Sequence, residues 1–466
     1  MTRAFRPPRP NFLLMWALGF INHWFLLLGI PLLRRILVVR DLPFVRGHFR
    51  IRSIDLPTAD RERLASAVNP HTAAFVGPNH PEFGFDWIMD KYIMTLTAPR
   101  MASWASHGIV ATAPWFWLRN NLISHNGGKA AADFSVTWAR HGDGVLLHPE
   151  GTVHWTGDLV HPLFHGIADM ATEAAGRTGG AANDRPVFIV PLVWKLRFVD
   201  DASPGMHREM DYIERHLELP PAGHLGIPER FQALQEGILR KQMLADAFDP
   251  ESVVGLDFFA RQEGFRSRLV ADLESRYMVE PTDSIDRKIT RLQRVISTAL
   301  RELRDTESAV APNQRALLVR DLDTAEEASR LGGFIRDVYA TPTLSQEQIA
   351  ESLKRHRATL VTGGLRNTLH NFLPKPYGAR VAHVRVPEPI LVEPARAMGD
   401  PGERHVYVAE LIDMARRRMQ AALDSINREI GPEVERFSHP NPFGPGPKGV
   451  AARCGTKELT DRAPAH

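Results

Sequence analysis

Short apolar runs alternate with helix-like segments between residues 41 and 204, and few folds accommodate that alternation. The runs HTAAFVGP, GVLLHP and PVFIVPLVW predict buried strands. The segments DWIMDKYIM and AAADFSVTWARHG between them predict helices. Strands and helices that alternate in this way form an α/β layer around a largely parallel sheet. The sequence therefore predicts an α/β fold.

The chain changes character after about residue 204. All nine tryptophans lie before residue 195, and residues 205–376 are charged, with helical patterns such as SIDRKITRLQRVISTALRELRD. The strand-like run ARVAHVRVPEPILV returns only at 379–392, and one more amphipathic helix follows it. We therefore predict an α/β core in two parts, 41–204 and 377–432, interrupted by a large helical insertion. Residues 433–466 are proline-rich and predict a disordered tail.

The first 40 residues predict a membrane anchor. Twenty-three consecutive residues of this segment carry no Lys, Arg, Asp or Glu, and as one helix they reach roughly 35 Å, about the thickness of a bilayer core. Because Asn22 and His23 are costly at a midplane, we expect two short helices, Phe12–Ile21 and Trp24–Leu33, bent at that pair. The bend keeps both flanking arginine clusters on the cytoplasmic face. A single span, an uncleaved signal sequence and a buried core helix are the alternatives.

Charge and cysteine content exclude several functions. The net charge is +3, with eight arginines and one acid in the first 50 residues, so we expect no nucleic-acid partner. The only cysteine is Cys454, which excludes a disulfide framework within one chain. Five histidines lie between 141 and 165 without the His-Glu-x-x-His spacing of a zinc site, so we expect no metal and no bound cofactor.

The first candidate site is VGPNHPEFGFDW, residues 76–87. A predicted strand ends just before His80, and Asp86 opens the following helix. An imidazole with a carboxylate in reach suits general-base chemistry on a hydroxyl, because the acid fixes the tautomer and stabilises the imidazolium. Asp86 is the favoured partner of His80, with Glu82 and Asp90 as alternatives. The other interpretation is that Asp86 caps the helix and His80 is a loop residue.

The second candidate site is GVLLHPEGTVHWTGD, residues 144–158, where a strand-like run ends. Gly151 lets the backbone approach a ligand closely, and Glu150 can accept hydrogen bonds from a polyol. We therefore expect Glu150, Gly151 and Thr152 to shape a substrate pocket.

Taken in order, these motifs resemble those of the glycerolipid acyltransferases, the 1-acylglycerol-3-phosphate acyltransferase family. That family has Asn-His followed after four residues by Asp, then Phe-Pro-Glu-Gly-Thr-Arg, then an apolar strand with a central proline. The similar segments here cover roughly residues 70–200 and 378–430. They are Asn79-His80 with Asp86, His148-Pro149-Glu150-Gly151-Thr152, IVPLV at 189–193, HPLFHGIADMA at 161–171 and RVPEPILV at 385–392.

The resemblance implies a glycerolipid-acyltransferase-like core and a membrane-associated O-acyltransferase of phospholipid biosynthesis. Such an enzyme moves a fatty acyl group from acyl-CoA or acyl carrier protein to a lipid-like hydroxyl or amine, such as lysophosphatidic acid or another lyso-lipid. His80 would take the acceptor proton and Asp86 would orient His80. Its partners would be the acyl donor and membrane lipid. The alternatives are a non-catalytic membrane-tethered binding protein with this fold, and a thioesterase in which His80 activates water.

Two departures from the family pattern concern the site. Five residues rather than four separate His80 from Asp86, and Gly84 can absorb the extra residue. The family's arginine after Glu-Gly-Thr is Val153 here, and the arginine expected near residues 122–125 is missing. Both arginines are associated with the acceptor phosphate, so a phosphate-bearing acceptor is less favoured here. The candidate replacements are Arg119, His125, Lys129 and His154.

Overall fold

Eight strands form a mixed sheet in the computed structural model, which describes residues 5–30, 33, 43–82, 84–125, 128–154, 156–177, 185–279, 285–304, 311–361, 363–364, 367, 370 and 373–444. The strands of this sheet are β1 (Ile51–Asp55), β2 (Ala73–Pro78), β3 (Ala102–Ala105), β4 (Leu122–Ser124), β5 (Val145–Leu146), β6 (Val187–Phe198), β8 (Arg380–Arg385) and β9 (Ile390–Leu391). Two short strands, β7 (Thr343–Leu344) and β10 (His439–Pro440), pair with each other outside it.

The order across the sheet is β1-β8-β6-β2-β5-β3-β4, and β9 also pairs with β6. The pairs β1/β8, β2/β6, β2/β5, β3/β5 and β3/β4 are parallel. Strands β8 and β9 run antiparallel to β6. The predicted α/β class with a largely parallel sheet is therefore confirmed.

Pro191 lies where the pairing along one side of β6 is interrupted. On that side β6 pairs with β9 before Pro191 and with β8 after it, whereas the other side pairs with β2 throughout 187–192. Proline has no N–H to donate to a ladder, so it suits a gap of this kind. The strand-like run 379–392 is accordingly two strands, separated by the segment around Pro387.

Alternate residues of β2 point into two hydrophobic cores. The main helices that cover the sheet are α3 (Thr58–Ala67), α4 (Asp86–Leu96), α7 (Gly128–Arg140), α8 (Gly166–Gly176) and α17 (Pro401–Glu435). The described residues also form the short helices α2 (Pro43–Arg46), α5 (His107–Thr112) and α16 (Pro394–Ala397). Ala73 and Phe75 pack in the core formed with α7, α8 and α17. Ala74 and Val76 pack in the core formed with α3 and α4. A strand that is covered on both faces has a continuous run of apolar residues, and this run allows β2 to be predicted from the sequence.

The N-terminal segment packs against α4. Helix α1 spans Phe12–Ile21, as predicted, but it continues directly into a π-helix, Asn22–Leu27. The predicted second helix, Trp24–Leu33, is therefore wrong in both bounds. The reason is that the Asn22 side chain is buried and donates to the Ile88 carbonyl oxygen of α4, 2.9 Å away. Among the described residues, no helix combines the length and the apolar character that crossing a bilayer requires.

The predicted insertion is a helical unit with its own hydrophobic core. Its helices are α9 (Ser203–His216), α10 (Ile227–Ala245), α11 (Phe258–Tyr277), α12 (Ile285–Arg304), α13 (Ala311–Leu331), α14 (Arg336–Tyr339) and α15 (Gln346–Leu360). Helices α9 and α15 pack on each other, and α15 also contacts β6. The helical unit therefore contacts β6, which continues to Phe198 after its pairing with β2 ends at Leu192.

The start of the predicted disordered tail is ordered. Helix α17 runs to Glu435, and β10 pairs with β7 of the helical unit. Apolar side chains explain the difference, because Val434 packs against the core under α17 and Phe443 packs against the core of the helical unit. The prediction is wrong for residues 433–444, and the rest of the predicted tail, with Cys454, lies outside the described residues.

Candidate active site

The two motif loops meet because the strands before them are parallel neighbours. His80 follows β2 and His148 follows β5, so both loops leave the carboxyl edge of the sheet. Asn79 fixes the first loop to β6: its Nδ2 donates to the Trp194 carbonyl oxygen at 3.0 Å, and its Oδ1 accepts from the Trp194 N–H at 2.9 Å.

His80 and Asp86 lie side by side. His80 Nδ1 is 2.8 Å from Asp86 Oδ2, and both side chains are largely buried. The carboxylate lies off the direction of the ring N–H, so the contact is short without being a linear hydrogen bond. Such hydrogen bonds commonly tighten when substrate binds. Gly84 has φ +81, a left-handed conformation that suits glycine and lets the longer loop bring Asp86 to His80.

The two alternative partners of His80 contact other groups. Asp90 Oδ2 is 3.1 Å from His148 Nε2. Glu82 is buried in ion pairs with Lys354 and Arg380. Of the three carboxylates considered, Asp86 is therefore the one placed against the His80 ring.

His148 carries a positive charge beside His80. Its Nδ1 faces the Asn79 carbonyl oxygen at 2.9 Å and its Nε2 faces Asp90, so both nitrogens must donate and the ring is an imidazolium. Burial alone lowers the pKa of His148, but the Asp90 carboxylate outweighs it and raises that pKa to about 9. The ring stacks on His80, with centroids 4.1 Å apart.

Burial controls the protonation of the His80 and Asp86 pair. It lowers the pKa of His80 well below the ordinary value, and the charge on His148 lowers it further. It raises the pKa of Asp86 well above the ordinary value, and the imidazolium of His148 opposes that rise. The His80 imidazole is therefore neutral near pH 7 and able to accept a proton.

Glu150 holds the His80 backbone. Its Oε1 accepts from the His80 N–H at 2.8 Å and its Oε2 accepts from the His161 N–H at 3.1 Å. Burial raises the pKa of Glu150 to about 7, although these two N–H groups favour the ionised form. The His154 N–H in turn donates to the His80 carbonyl oxygen at 3.2 Å. Both Glu150 oxygens thus accept from the protein backbone, and the predicted contact of Glu150 with a substrate stays a prediction.

Gly151 and Thr152 lie at the surface of the second loop. Gly151 has φ +74, and a Cβ there would come within 2.6 Å of the Phe164 ring. The backbone therefore approaches the Phe164 ring closely, whereas the sequence predicts a close approach to a ligand. Thr152 is open to solvent beside it.

The predicted phosphate-binding replacements are dispersed. The Arg119 guanidinium lies 4.5 Å from the centre of the Trp115 ring, and His125 Nδ1 accepts from the His107 N–H at 3.0 Å. Lys129 is exposed, 3.7 Å from Asp133. These described contacts do not involve the His80 loop.

His154 is the replacement that lies nearest the site. Its ring stacks on His161, with centroids 3.6 Å apart, and burial lowers its pKa to about 4. A ring with that pKa is neutral near pH 7, so His154 offers a phosphate no full charge.

One group of side chains in the described residues has the composition of a metal site. The ligand atoms of His80, Asp86 and His148 lie within 4.8 Å of one another. A metal ligand needs an unprotonated nitrogen directed at the ion, whereas both nitrogens of His148 face oxygen atoms. The arrangement therefore fits a proton-transfer network better than a metal site.

The motifs assign no role to the pair of His148 and Asp90. Two signals in the sequence point to it. Asp90 follows Asp86 by four residues on a helix, which puts both carboxylates on one face. His148 stands where the similar family has phenylalanine, and a titratable group in place of an apolar one needs a partner.

No protein-family model matches this chain, and no curated protein matches it.

Proposed function

We propose that this protein is a membrane-associated acyltransferase that moves a fatty acyl group from an acyl thioester, on coenzyme A or acyl carrier protein, to a hydroxyl or amine of a lipid-like acceptor. The observation that carries the proposal is a neutral, buried imidazole, His80, with Asp86 at 2.8 Å and its backbone clamped by Glu150. A general base needs a positioned imidazole that is unprotonated at working pH. The five segments similar to motifs of the glycerolipid acyltransferases support the same reaction.

In this mechanism His80 Nε2 takes the proton of the acceptor hydroxyl while its oxygen attacks the thioester carbonyl carbon. The new C–O bond gives a tetrahedral intermediate. Its collapse breaks the C–S bond, and the imidazolium returns the proton to the departing thiolate. Asp86 would stabilise the transient imidazolium from 2.8 Å, and the imidazolium that forms would in turn favour the ionised form of Asp86. The charge on His148 opposes protonation of His80. His80 ends neutral and no acyl-enzyme forms.

An exposed apolar surface supports the membrane location. On α1, Leu13 is 75% and Trp16 68% exposed, and on α6 (Pro114–Arg119) Trp115 is 66% exposed. The start of α1 lies next to the end of α6, where the Asn11 N–H donates to the Arg119 carbonyl oxygen at 2.9 Å. Large apolar side chains grouped in this way favour insertion into the interfacial region of a bilayer. We call Leu13, Trp16 and Trp115 the α1–α6 apolar surface.

The acceptor we favour is a lipid alcohol or amine without a phosphate near the reacting group. Residue 153 is valine, and residues 122–125 contain no arginine, so both arginines that the similar family associates with phosphate are missing. Each charge-assisted hydrogen bond of this kind contributes about 1.5–3 kcal/mol, which is roughly tenfold to a hundredfold in affinity. Lysophosphatidic acid is then a poorer acceptor than an uncharged lipid alcohol.

The test is thioester turnover with labelled acyl-CoA and acyl carrier protein, measured without acceptor, with lysophosphatidic acid and with an uncharged lipid alcohol. The proposal predicts acyl lipid formed only when acceptor is present. Free fatty acid formed equally without acceptor would mean a thioesterase. Tight donor binding with no turnover would mean a binding protein. Preference for lysophosphatidic acid, lost in Arg119→Ala or Lys129→Ala, would mean that these residues replace the missing arginines.

A further inference from the structure

A lysine of the helical unit reaches the loop that carries His80. Lys354, on α15, places its Nζ 2.8 Å from Glu82 Oε1. Arg380, the first residue of β8, places its Nη1 3.2 Å from Glu82 Oε2. Glu82 lies two residues after His80 and four before Asp86, so two distant segments hold the middle of the candidate catalytic loop.

All three charged side chains are buried. Burial by itself raises the pKa of Glu82, but Lys354 and Arg380 outweigh it, and the net effect is a lowered pKa and an ionised carboxylate. Burial lowers the pKa of Lys354, and Glu82 opposes that decrease. Buried ions persist only when they are paired, so the position of Glu82 is tied to its two cations.

Hydrogen bonds of the Glu82 backbone link the position of Glu82 to that of Asp86. Its carbonyl oxygen accepts from the Asp86 N–H at 3.1 Å and from the Phe85 N–H at 3.3 Å, at the start of α4. His80, at the other end of the loop, is held through its own N–H and carbonyl oxygen by Glu150 and His154. A shift of Glu82 would therefore move Asp86 relative to a fixed His80.

We propose that Lys354 is a positioning residue for the pair of His80 and Asp86, and that the helical unit contributes to the active site through it. Arg380 belongs to the α/β core and can hold Glu82 without the helical unit, whereas Lys354 comes only from α15. The inference rests on the proposed function, since it assigns a role in that reaction. In this role, the packing of the helical unit on β6 would support catalysis directly.

The first experiment compares Lys354→Met and Lys354→Arg with Lys241→Met in the full-length protein. Lys354→Met leaves Glu82 paired with Arg380, so the variant is expected to fold. Lys241, an exposed lysine on α10 that pairs with Glu218, is the control for removing a helical lysine away from Glu82. Because misplacing a catalytic group by about 1 Å can cost a hundredfold, we expect kcat to fall about tenfold to a hundredfold in Lys354→Met. KM for the acyl donor stays within about twofold, and Lys354→Arg restores most of kcat.

The second measurement is independent of activity. The imidazole NMR signals of His80, assigned by their loss in His80→Gln, report the surroundings of the ring directly. We expect them to shift, with a changed titration, in Lys354→Met and Glu82→Gln and to stay in place in Lys241→Met. The two changes should not add in the double variant, because they break one interaction.

The outcomes are distinguishable. Folded Lys354→Met with wild-type kcat and unshifted His80 signals would overturn the positioning role. If the wild-type protein transfers no acyl group, the proposed function fails, and the NMR signals alone decide whether Lys354 positions His80. If Lys354→Met melts below the assay temperature, Lys354→Gln replaces it. Because its amide can still donate to Glu82 but carries no charge, we expect a smaller fall in kcat and a smaller shift of the His80 signals; wild-type values for both would overturn the positioning role.

Discussion

Two stacked imidazole rings differ in charge because their nitrogens face different atoms. Both nitrogens of His148 face oxygens that can only accept, whereas Nδ1 of His80 has only Asp86 beside it. The cation at His148 lowers the pKa of His80. In the proposed mechanism Asp86, 2.8 Å away, would stabilise the protonated ring. The His80 imidazole is thus neutral near pH 7 while the Asp86 side chain stays beside it.

The different partners of Asp86 and Asp90 predict different kinetic effects. Asp86→Asn leaves the imidazolium of His80 without its carboxylate, so kcat should fall by about 10² or more near pH 7. Asp90→Asn leaves His148 without its charged partner, so the main change should be a shift of the pH-rate profile on its alkaline side. The measurement is kcat from pH 5 to 10 for both variants, with melting temperatures as a control for folding. A larger loss near pH 7 in Asp90→Asn would reverse the two roles.

His148 makes stability depend on pH. Its folded pKa, about 9, lies above the ordinary 6.5, so the stabilisation is complete below pH 6.5 and is lost as pH rises from 6.5 through about 9. The difference corresponds to on the order of 3 kcal/mol. We expect the free energy of unfolding from urea titrations to fall over this window in the wild-type protein and much less in His148→Gln. Parallel pH curves for the two proteins would show that His148 is not a buried cation.

Gly151 is required by its conformation. In Gly151→Ala the residue keeps a positive φ and its Cβ meets the Phe164 ring, so we expect a loss of about 1–2 kcal/mol in the free energy of unfolding. Adding Phe164→Ala should recover the contact part and leave the strain. Gly264→Ala is the control, since it lies in α11 with open space around it and should gain about 0.5–1 kcal/mol. A neutral Gly151→Ala would remove the requirement for glycine.

At the level of elements, local patterns predict what local interactions decide. Strands β2 and β6 and helices α1 and α4 follow from apolar runs and helical periodicity, and the structure has them where the sequence indicates. The π-helix after α1 does not follow, because it depends on the contact of Asn22 with the Ile88 carbonyl oxygen of α4. The two antiparallel strands near the end of the core depend likewise on where β6 leaves an open side.

The exposed face of α1 predicts binding to bilayers. Burying a tryptophan or leucine side chain contributes about 1.5–3 kcal/mol, so Leu13→Glu with Trp16→Glu should weaken vesicle binding at least tenfold. The measurement is co-sedimentation of the full-length protein with phosphatidylcholine vesicles. Leu244→Glu is the control, because Leu244 is an exposed leucine of the helical unit. Equal loss of binding in the control, or none in the α1 variant, would contradict the role of the α1–α6 apolar surface.

At the level of the whole molecule, the sequence predicts the interrupted core but not the way its parts are joined. The change in composition after residue 204 marks the helical unit, and the returning strand marks the end of the insertion. The pairing of Glu82 with Lys354 joins residues far apart in the chain, and no local pattern encodes it. The same holds for Phe443, whose packing against the helical unit orders a segment that its composition alone predicts to be disordered.

The rate of acyl transfer by folded His80→Ala, relative to the wild-type protein, tests the central claim most directly. The measurement uses saturating acyl donor and lipid acceptor, with matched circular dichroism and melting temperatures to show that both proteins are folded. A lost general base costs a factor of about 10² to 10⁴, and the account predicts a loss in that range with the membrane binding unchanged. Transfer by His80→Ala at the wild-type rate would contradict it and remove His80 from the mechanism.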